Sequence, residues 1–240
     1  MTSEEVMSEQ SPGDTVLSVV IPTYMERESL PELIGRIESS LKPMQFEIII
    51  VDDASPDGTA ECAEDLNREF GNIKVVRRGG KLGLASAVLD GFQIAGADVL
   101  AVMDADLQHP PELLPQMYTK VTEGHDLVVA SRYGKGGAIE GWSLRRRMLS
   151  RGAMILAHML LPTTRRVEDV MSGFIMLRRE VIEGVKLNPI GFKILLEIIA
   201  KGNCNSVAEV PYTFRPRKKG KSSLGFREVW NFVVHIYRLL

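Results

Sequence analysis

Asp104 and Asp106 stand two residues apart where the apolar run Val99 to Met103 ends, within AVMDADLQHP. Strand alternation turns residues i and i+2 to the same side, so the two carboxylates can share one hard cation of the kind that carries a diphosphate. The competing reading is turn chemistry, because aspartate is common wherever strands give way to turns. A second acidic pair, Asp52 and Asp53, closes the run FEIIIVDDASPDGT, and the first run, LSVVIPTYMERESL, ends in Pro22, Tyr24 and Glu26. Three successive strands thus aim polar groups at one edge, where open α/β sheets place their ligands. Arg132, just past a later strand in ASRY, is placed either to grip a phosphate with its two-pronged guanidinium or to pair with a sheet-edge carboxylate.

Apolar runs at Leu17–Ile21, Phe46–Val51, Ile73–Val76, Val99–Met103 and Leu127–Ala130 alternate with helical periodicity at Leu30–Leu41, Ala60–Phe70, Leu84–Ala95 and Glu112–Val121. This βαβα order predicts an α/β fold with a mostly parallel sheet covered on both faces. Gly79, Gly80 and Gly83 around Lys81 make a permissive entry to a helix, without the spacing of a P-loop. Beyond Ser131 the alternation lapses. GWSLRRRMLSRGAMILAHMLL reads as a helix with basic and apolar faces, either an interfacial helix on anionic lipid or a core helix with a charged first turn. DVMSGFIMLRREVI predicts a loop, a short strand and a helix; GFKILLEIIAKG predicts an amphipathic helix over Gly191–Gly202 with a glycine stop; SVAEVPYTF predicts a last strand.

The net charge of −2 conceals two opposed halves. Residues 1–131 carry 9 Lys and Arg against 23 Asp and Glu, whereas residues 132–221 carry 18 against 7. An acidic half suits a divalent cation, and a basic half suits phosphates or an anionic surface. The basic run FRPRKKGKSSLG lacks the interleaved aromatics that nucleic-acid binding uses, so nucleic acid is not expected as a partner. Two isolated cysteines, Cys62 and Cys204, make neither a disulfide framework nor a metal cluster and point to a reducing compartment. Residues 1–15 have the polar, acidic composition of a mobile tail and not of a secretory signal. No apolar run approaches the ~20 residues of a membrane span. The segment 226–240, FREVWNFVVHIYRLL, is amphipathic and apolar, in keeping with a membrane-docking helix after a catalytic domain over 16–225.

VVIPTYMERESL, IIIVDDASPDGT, VMDADLQHPPELL, ASRY and DVMSGF, in that order, resemble the segments of the dolichyl-phosphate mannosyltransferases, within the family-2 glycosyltransferases of the GT-A fold. The resemblance runs from about Ser18 to Phe226 and implies a Rossmann-like sheet followed by amphipathic helices at a membrane surface. It implies transfer of mannose from GDP-mannose to dolichyl or another polyprenyl phosphate, with Mg²⁺ or Mn²⁺ held by Asp104, Asp106 and Gln108. Pro22, Tyr24, Glu26, Val51, Asp53, Lys81 and Ala105 match positions lining the nucleotide-sugar pocket, and Lys193 and Arg217 match donor contacts. Asp53 has the chemistry to accept from a base N–H or ribose hydroxyl, and Tyr24 to pack on either ring. Arg132, Arg146 and Ser150 match groups that hold the acceptor phosphate, and Asp169 a group that orients the sugar or the acceptor. Where relatives place a lysine before leucine, this chain has Ser222, Ser223 and Leu224, leaving Lys219 or Lys221 to supply that charge. The implied location is the cytoplasmic face of a membrane, with either a membrane-embedded subunit or a C-terminal transmembrane region as anchor.

The chemistry expected is direct displacement with inversion. A lipid monophosphate, with its second pKa near ~6, is already an oxyanion at neutral pH and needs no base to attack. The alternatives are UDP-glucose as donor, an aspartate-nucleophile phosphohydrolase built on the same D-x-D, and a non-catalytic nucleotide-binding scaffold. The scaffold reading is disfavoured because adjacent carboxylates without a cation repel one another.

Overall fold

The computed structural model describes residues 15–191, 193–216 and 226–240. Nine strands and seven α-helices follow in the order β1 (Leu17–Thr23), α1 (Leu30–Leu41), β2 (Phe46–Asp52), α2 (Thr59–Phe70), β3 (Ile73–Arg77), α3 (Leu84–Ile94), β4 (Val99–Val102), α4 (Leu114–Thr122), β5 (Leu127–Ser131), β6 (Ala138–Ile139), α5 (Leu144–Leu160), β7 (Ile175–Arg178), α6 (Ile194–Lys201), β8 (Val207–Pro211), β9 (Thr213–Phe214) and α7 (Phe226–Leu239). The main sheet runs β3-β2-β1-β4-β7-β5-β8, and β6 pairs with β9 as a separate ribbon.

Every residue of β1 and β2 is buried, as the unbroken apolar runs require of strands covered on both faces. Alternation divides their side chains between two cores. Leu17, Val19, Ile21, Ile48 and Ile50 join Leu30, Leu33, Ile34 and Ile37 of α1 and Met117 of α4 on one face. Val20, Ile49 and Val51 join Val88 and Phe92 of α3 and Ile198 of α6 on the other. Burying each such aliphatic side chain is worth ~2 kcal/mol. α3 approaches β1 so closely that a Cβ on Gly91 would lie 2.4 Å from Val20 Cγ1.

From β1 the chain moves outward to β2 and β3, then returns to pair β4 on the other side of β1. The order reverses between β1 and β4, and in such sheets the crevice beyond the carboxyl ends at that point receives the ligand. One strand departs from the parallel expectation. β7 enters between β4 and β5 antiparallel to both, which brings its preceding loop, Asp169–Phe174, to the same edge as the ends of β1, β2 and β4.

Two expected helices change character. After β7 only a single 3₁₀ turn, Arg179–Val181, forms, because Arg179 turns back to donate to the Ala95 and Ala97 carbonyls beyond α3. α6 starts at Ile194, not Gly191, and buries Ile194 through Ile199, Glu197 included, so it is a core helix rather than an amphipathic one. α5 goes the other way: Met154 and Ala157 join the core with Ala153 and Leu156 against it, while Leu144, Met148, Ile155 and Met159 form an exposed stripe. α7 likewise buries Phe232, His235 and Ile236 and exposes Trp230, Val233 and Tyr237. Among the described residues no helix is long and apolar enough to cross a membrane.

Candidate active site

Asp104 and Asp106 are placed by a turn and not by the strand alternation that the sequence predicts. β4 ends at Val102, and Asp104 and Asp106 lie in the turn beyond it. Met103 N–H still donates to the Val20 carbonyl of β1, but the next N–H, that of Asp104, leaves the sheet and donates to His109 Nδ1 at 2.9 Å. Asp106 accepts from the Gln108 N–H at 3.0 Å, and Leu107 between them is left-handed at φ +62°. That conformation costs a leucine about 1–2 kcal/mol, which the closed turn must offset. Asp106 is buried, whereas the Asp104 side chain keeps 33% of its exposure.

Two carboxylates in a partly exposed turn are a hard-oxygen donor set of the size Mg²⁺ uses, since that ion keeps water and phosphate oxygens in its remaining positions. Among the described residues no third carboxylate, His or Cys joins them as a closed metal cluster. Gly173, in the loop before β7, leaves open the space over Asp104: a Cβ there would lie 3.6 Å from Asp104 Oδ1. The Gln108 amide donates to the Arg215 carbonyl at 2.8 Å, tying this turn to the segment that leads to Arg217. Arg217, with Lys219, Lys221 and Ser223, lies outside the described residues.

His109, to which the sequence reading gave no role, is buried in this site. Its ring stacks on Phe174 with centroids 5.2 Å apart and meets Tyr212 edge-on, and its Nε2 is 3.7 Å from Asp104 Oδ2. Burial pushes its pKa down to about 4, so the ring is neutral at physiological pH.

Arg132 makes a buried ion pair. Its Nε and Nη2 donate to the two oxygens of Asp169 at 2.7 and 2.8 Å, and its backbone N–H adds a third bond at 3.0 Å. The fork expected on a phosphate is therefore spent on a carboxylate 37 residues away, and the sheet-edge pairing, the other reading of this arginine, is the one found. Asp169 is fully buried and held on both oxygens, which rules it out as a mobile base. Lys193, the residue before α6, donates to the Met171 carbonyl. Burial, with Arg132 nearby, pulls its pKa down to about 7 against the opposing pull of Asp169 and Asp104. Arg132, Asp169, Lys193 and the acidic turn thus share one electrostatic environment.

On the nucleotide side, Tyr24 lies under the Lys81 ammonium, 3.6 Å from the ring centroid. Asp53 is engaged by protein groups on both oxygens. One oxygen pairs with Arg78 and the other accepts the Gly83 N–H at 2.8 Å, so this carboxylate anchors the glycine loop around Lys81. Arg78, which also reaches Ser86 and Asp90, escaped the sequence reading because it stands beside Arg77, whose partners are the surface residues Glu61 and Glu64. The Val51 and Ala105 side chains sit in the core and Pro22 is buried within β1, which leaves only their backbones to line a pocket. Glu26 accepts from Ser29 Oγ at 2.8 Å at the start of α1.

Past β5 lies a cavity of about 320 Å³ lined by Arg132, Tyr133, Gly137, Ala138, Ile139, Arg147 and Arg151. Gly137 is required there, since a Cβ would come within 2.7–2.8 Å of the Arg132 backbone. The expected pair, Arg146 and Ser150, flanks this cavity without lining it. Arg146 stacks over Trp142 at 4.2 Å, and Ser150 Oγ accepts from the Tyr133 hydroxyl at 3.0 Å. The lining arginines are the next ones along the helix, Arg147 and Arg151, one turn apart and beside the exposed Leu144, Met148, Ile155 and Met159 stripe.

The family model described as Glycosyl transferase family 2 matches residues 18–185. The chain is 49% identical over 224 residues to a dolichol-phosphate mannosyltransferase of Pyrococcus furiosus, covering 93% of this chain but only 63% of that protein's length. It is 39% identical over 215 residues to the polyprenol monophosphomannose synthase of Mycolicibacterium smegmatis, covering 86% of this chain and 80% of that one. Among solved structures, glucosyl-3-phosphoglycerate synthase from Mycobacterium tuberculosis, in complex with Mn²⁺, UDP-glucose and phosphoglyceric acid, superposes with a TM-score of 0.71 at 19% identity, over 94% of this chain and 78% of that one. At that identity the likeness is one of fold.

Proposed function

The chain belongs to glycosyltransferase family 2 and has the GT-A fold, and from that premise we propose that it transfers mannose from GDP-mannose to a dolichyl or other polyprenyl phosphate with inversion at the anomeric carbon. The observation that carries this reading is an arginine-lined cavity that opens beside an apolar helix stripe and shares Arg132 with the surroundings of a dicarboxylate turn. A phosphate with a long apolar tail matches that combination, because Arg147 and Arg151 meet the charge and Met148 and Ile155 meet the chain. The solved relative's Mn²⁺ and the lipid phosphates in the relatives' names support the same assignment.

Asp104 and Asp106 would hold Mg²⁺ or Mn²⁺ against the donor diphosphate, and the bound ion would neutralise charge that grows on the departing GDP. Lys193, whose pKa burial pulls well below the usual lysine range, would regain charge when a diphosphate lies beside it and so hold the leaving group. Tyr24 and Lys81 close over the nucleoside side. Arg147, Arg151 and the cavity edge of Arg132 orient the acceptor phosphate toward the anomeric carbon. One phosphate oxygen forms the new bond to that carbon as the bond to the diphosphate oxygen breaks, and the electron pair leaves with GDP. No proton is removed from the acceptor. This agrees with Asp169 being locked to Arg132 on both oxygens and so not free to act as a base.

The exposed stripes of α5 and α7, with Arg145, Arg147 and Arg151 beside the first, give the protein a surface suited to an anionic bilayer, where the acceptor resides.

Incubating the purified protein with Mn²⁺, labelled GDP-mannose or UDP-glucose, and a panel of polyprenyl phosphates tests the assignment. A β-linked mannosyl phosphate formed from GDP-mannose is expected. An α-linked product, or turnover of UDP-glucose alone, defeats it. Within the same assay, Arg147→Ala and Arg151→Ala are each expected to raise KM for the lipid phosphate roughly tenfold at low salt, the loss of one charge-assisted hydrogen bond of ~1.5 kcal/mol. GDP affinity should be unchanged, and an equal loss of GDP affinity would move these arginines out of the acceptor site.

A further inference from the structure

The backbone N–H of Asp104, in the turn beyond β4, leaves the sheet, and a part-buried N–H without a partner is costly. His109 supplies that partner. Because Nδ1 accepts from Asp104 N–H at 2.9 Å, the neutral ring carries its proton on Nε2, and Nε2 faces the same residue's carboxylate, 3.7 Å from Oδ2. One side chain thus brackets Asp104 at both its main chain and its carboxyl group.

The ring itself has little freedom. It is 3% exposed, stacks on Phe174 and abuts Tyr212, and its Cε1 would lie 3.5 Å from a Cβ on Gly173. Phe174 leads into β7, and Tyr212 stands between β8 and β9, so the position of His109 is set by two separate parts of the sheet edge. A left-handed Leu107 lies inside the turn that this histidine closes. Such a residue persists only where its surroundings over-determine it.

We propose that His109 is a positioning residue for the divalent-ion site, acting by accepting the Asp104 N–H through Nδ1 and so fixing the Asp104 carboxylate in its ion-binding orientation. The proposal deepens the reading of Asp104 and Asp106 as ion ligands and rests on it. Outer partners of this kind hold ligand carboxylates in the geometry an ion requires, and losing one typically costs ~10–100-fold in metal affinity. In this role His109 acts through Asp104 and not on the substrate or the ion itself.

Asparagine and glutamine separate the two ring nitrogens. In His109→Asn the amide oxygen falls near the place of Nδ1 and preserves the acceptor. In His109→Gln the amide falls near the place of Nε2 and the acceptor is lost. His109→Phe keeps the stack and loses both. Mn²⁺ binding to the full chain in the presence of GDP, followed by electron paramagnetic resonance, is the readout, alongside GDP binding in the presence of EDTA and thermal unfolding. His109→Asn is expected to bind Mn²⁺ within about threefold of the unaltered protein, and His109→Gln and His109→Phe about tenfold or more weakly. Metal-free GDP binding should be the same in all. Equal Mn²⁺ affinity in the Asn and Gln variants, or a loss of metal-free GDP binding that tracks the loss of Mn²⁺, would overturn the proposal. Failure of the unaltered protein to bind Mn²⁺ would instead defeat the metal reading of Asp104 and Asp106, so the two failures are distinguishable.

Discussion

Asp104→Asn is expected to lower kcat by about 10³-fold, equivalent to ~4 kcal/mol of transition-state stabilisation, while leaving the melting temperature within a degree or two. The substitution preserves volume and one acceptor oxygen and removes a full negative charge. Because the Asp104 side chain is one-third exposed and the bond that ties the residue to His109 comes from its backbone N–H, the fold loses little. Asp106 offers a less clean experiment. Its carboxylate is buried and accepts the Gln108 N–H, so Asp106→Asn would mix loss of charge with an altered turn. The comparison is made with saturating Mn²⁺ and GDP-mannose, following release of GDP. Retention of more than a tenth of the activity would show that Asp104 does not bear on the departing diphosphate, and the mechanism proposed above would lose its centre.

What could be read along the chain and what could not divides by distance in sequence. The ends of β1, β2 and β4 carry Tyr24, Asp53 and Asp104 because short apolar runs followed by polar turns are a local pattern, and the βαβα order then places those ends on one edge. Partners were not legible. Nothing local distinguishes Arg78, clamped on Asp53, from Arg77 beside it, which pairs at the surface with Glu61 and Glu64. The Asp169 that captures Arg132 sits on a loop brought in by an antiparallel strand, and the order β4-β7-β5 is a tertiary fact. On α5 the difference between Arg146 and Arg147 is one position, but one position is ~100° of rotation. The resemblance points to Arg146 and Ser150, whereas the arginines that line the cavity are Arg147 and Arg151, Arg146 being packed against Trp142. His109 stands inside AVMDADLQHP itself, but its partner is the backbone of a residue five positions earlier, which no local pattern reveals.

Asp169→Asn should destabilise the protein by ~3–5 kcal/mol, a fall in melting temperature on the order of 10 °C for a chain of this size. Asp169 is 0% exposed and Arg132 9%, and three of the arginine's donor groups, counting its backbone N–H, depend on that one carboxylate. Asp169 holds the guanidinium charged against the burial that opposes it. An amide in its place offers one oxygen where two were used and leaves a cation in the interior without its counter-charge. The energetic cost of breaking such a pair greatly exceeds the benefit of having it, which gives a way to separate stability from chemistry. The double replacement Arg132→Met with Asp169→Leu removes both charges together, and most of the lost stability should return. Transfer should not return, because the proposed orientation of the acceptor phosphate uses the cavity edge of Arg132. Recovery of activity along with stability would reduce Arg132 to a structural residue and leave the acceptor phosphate to Arg147 and Arg151 alone.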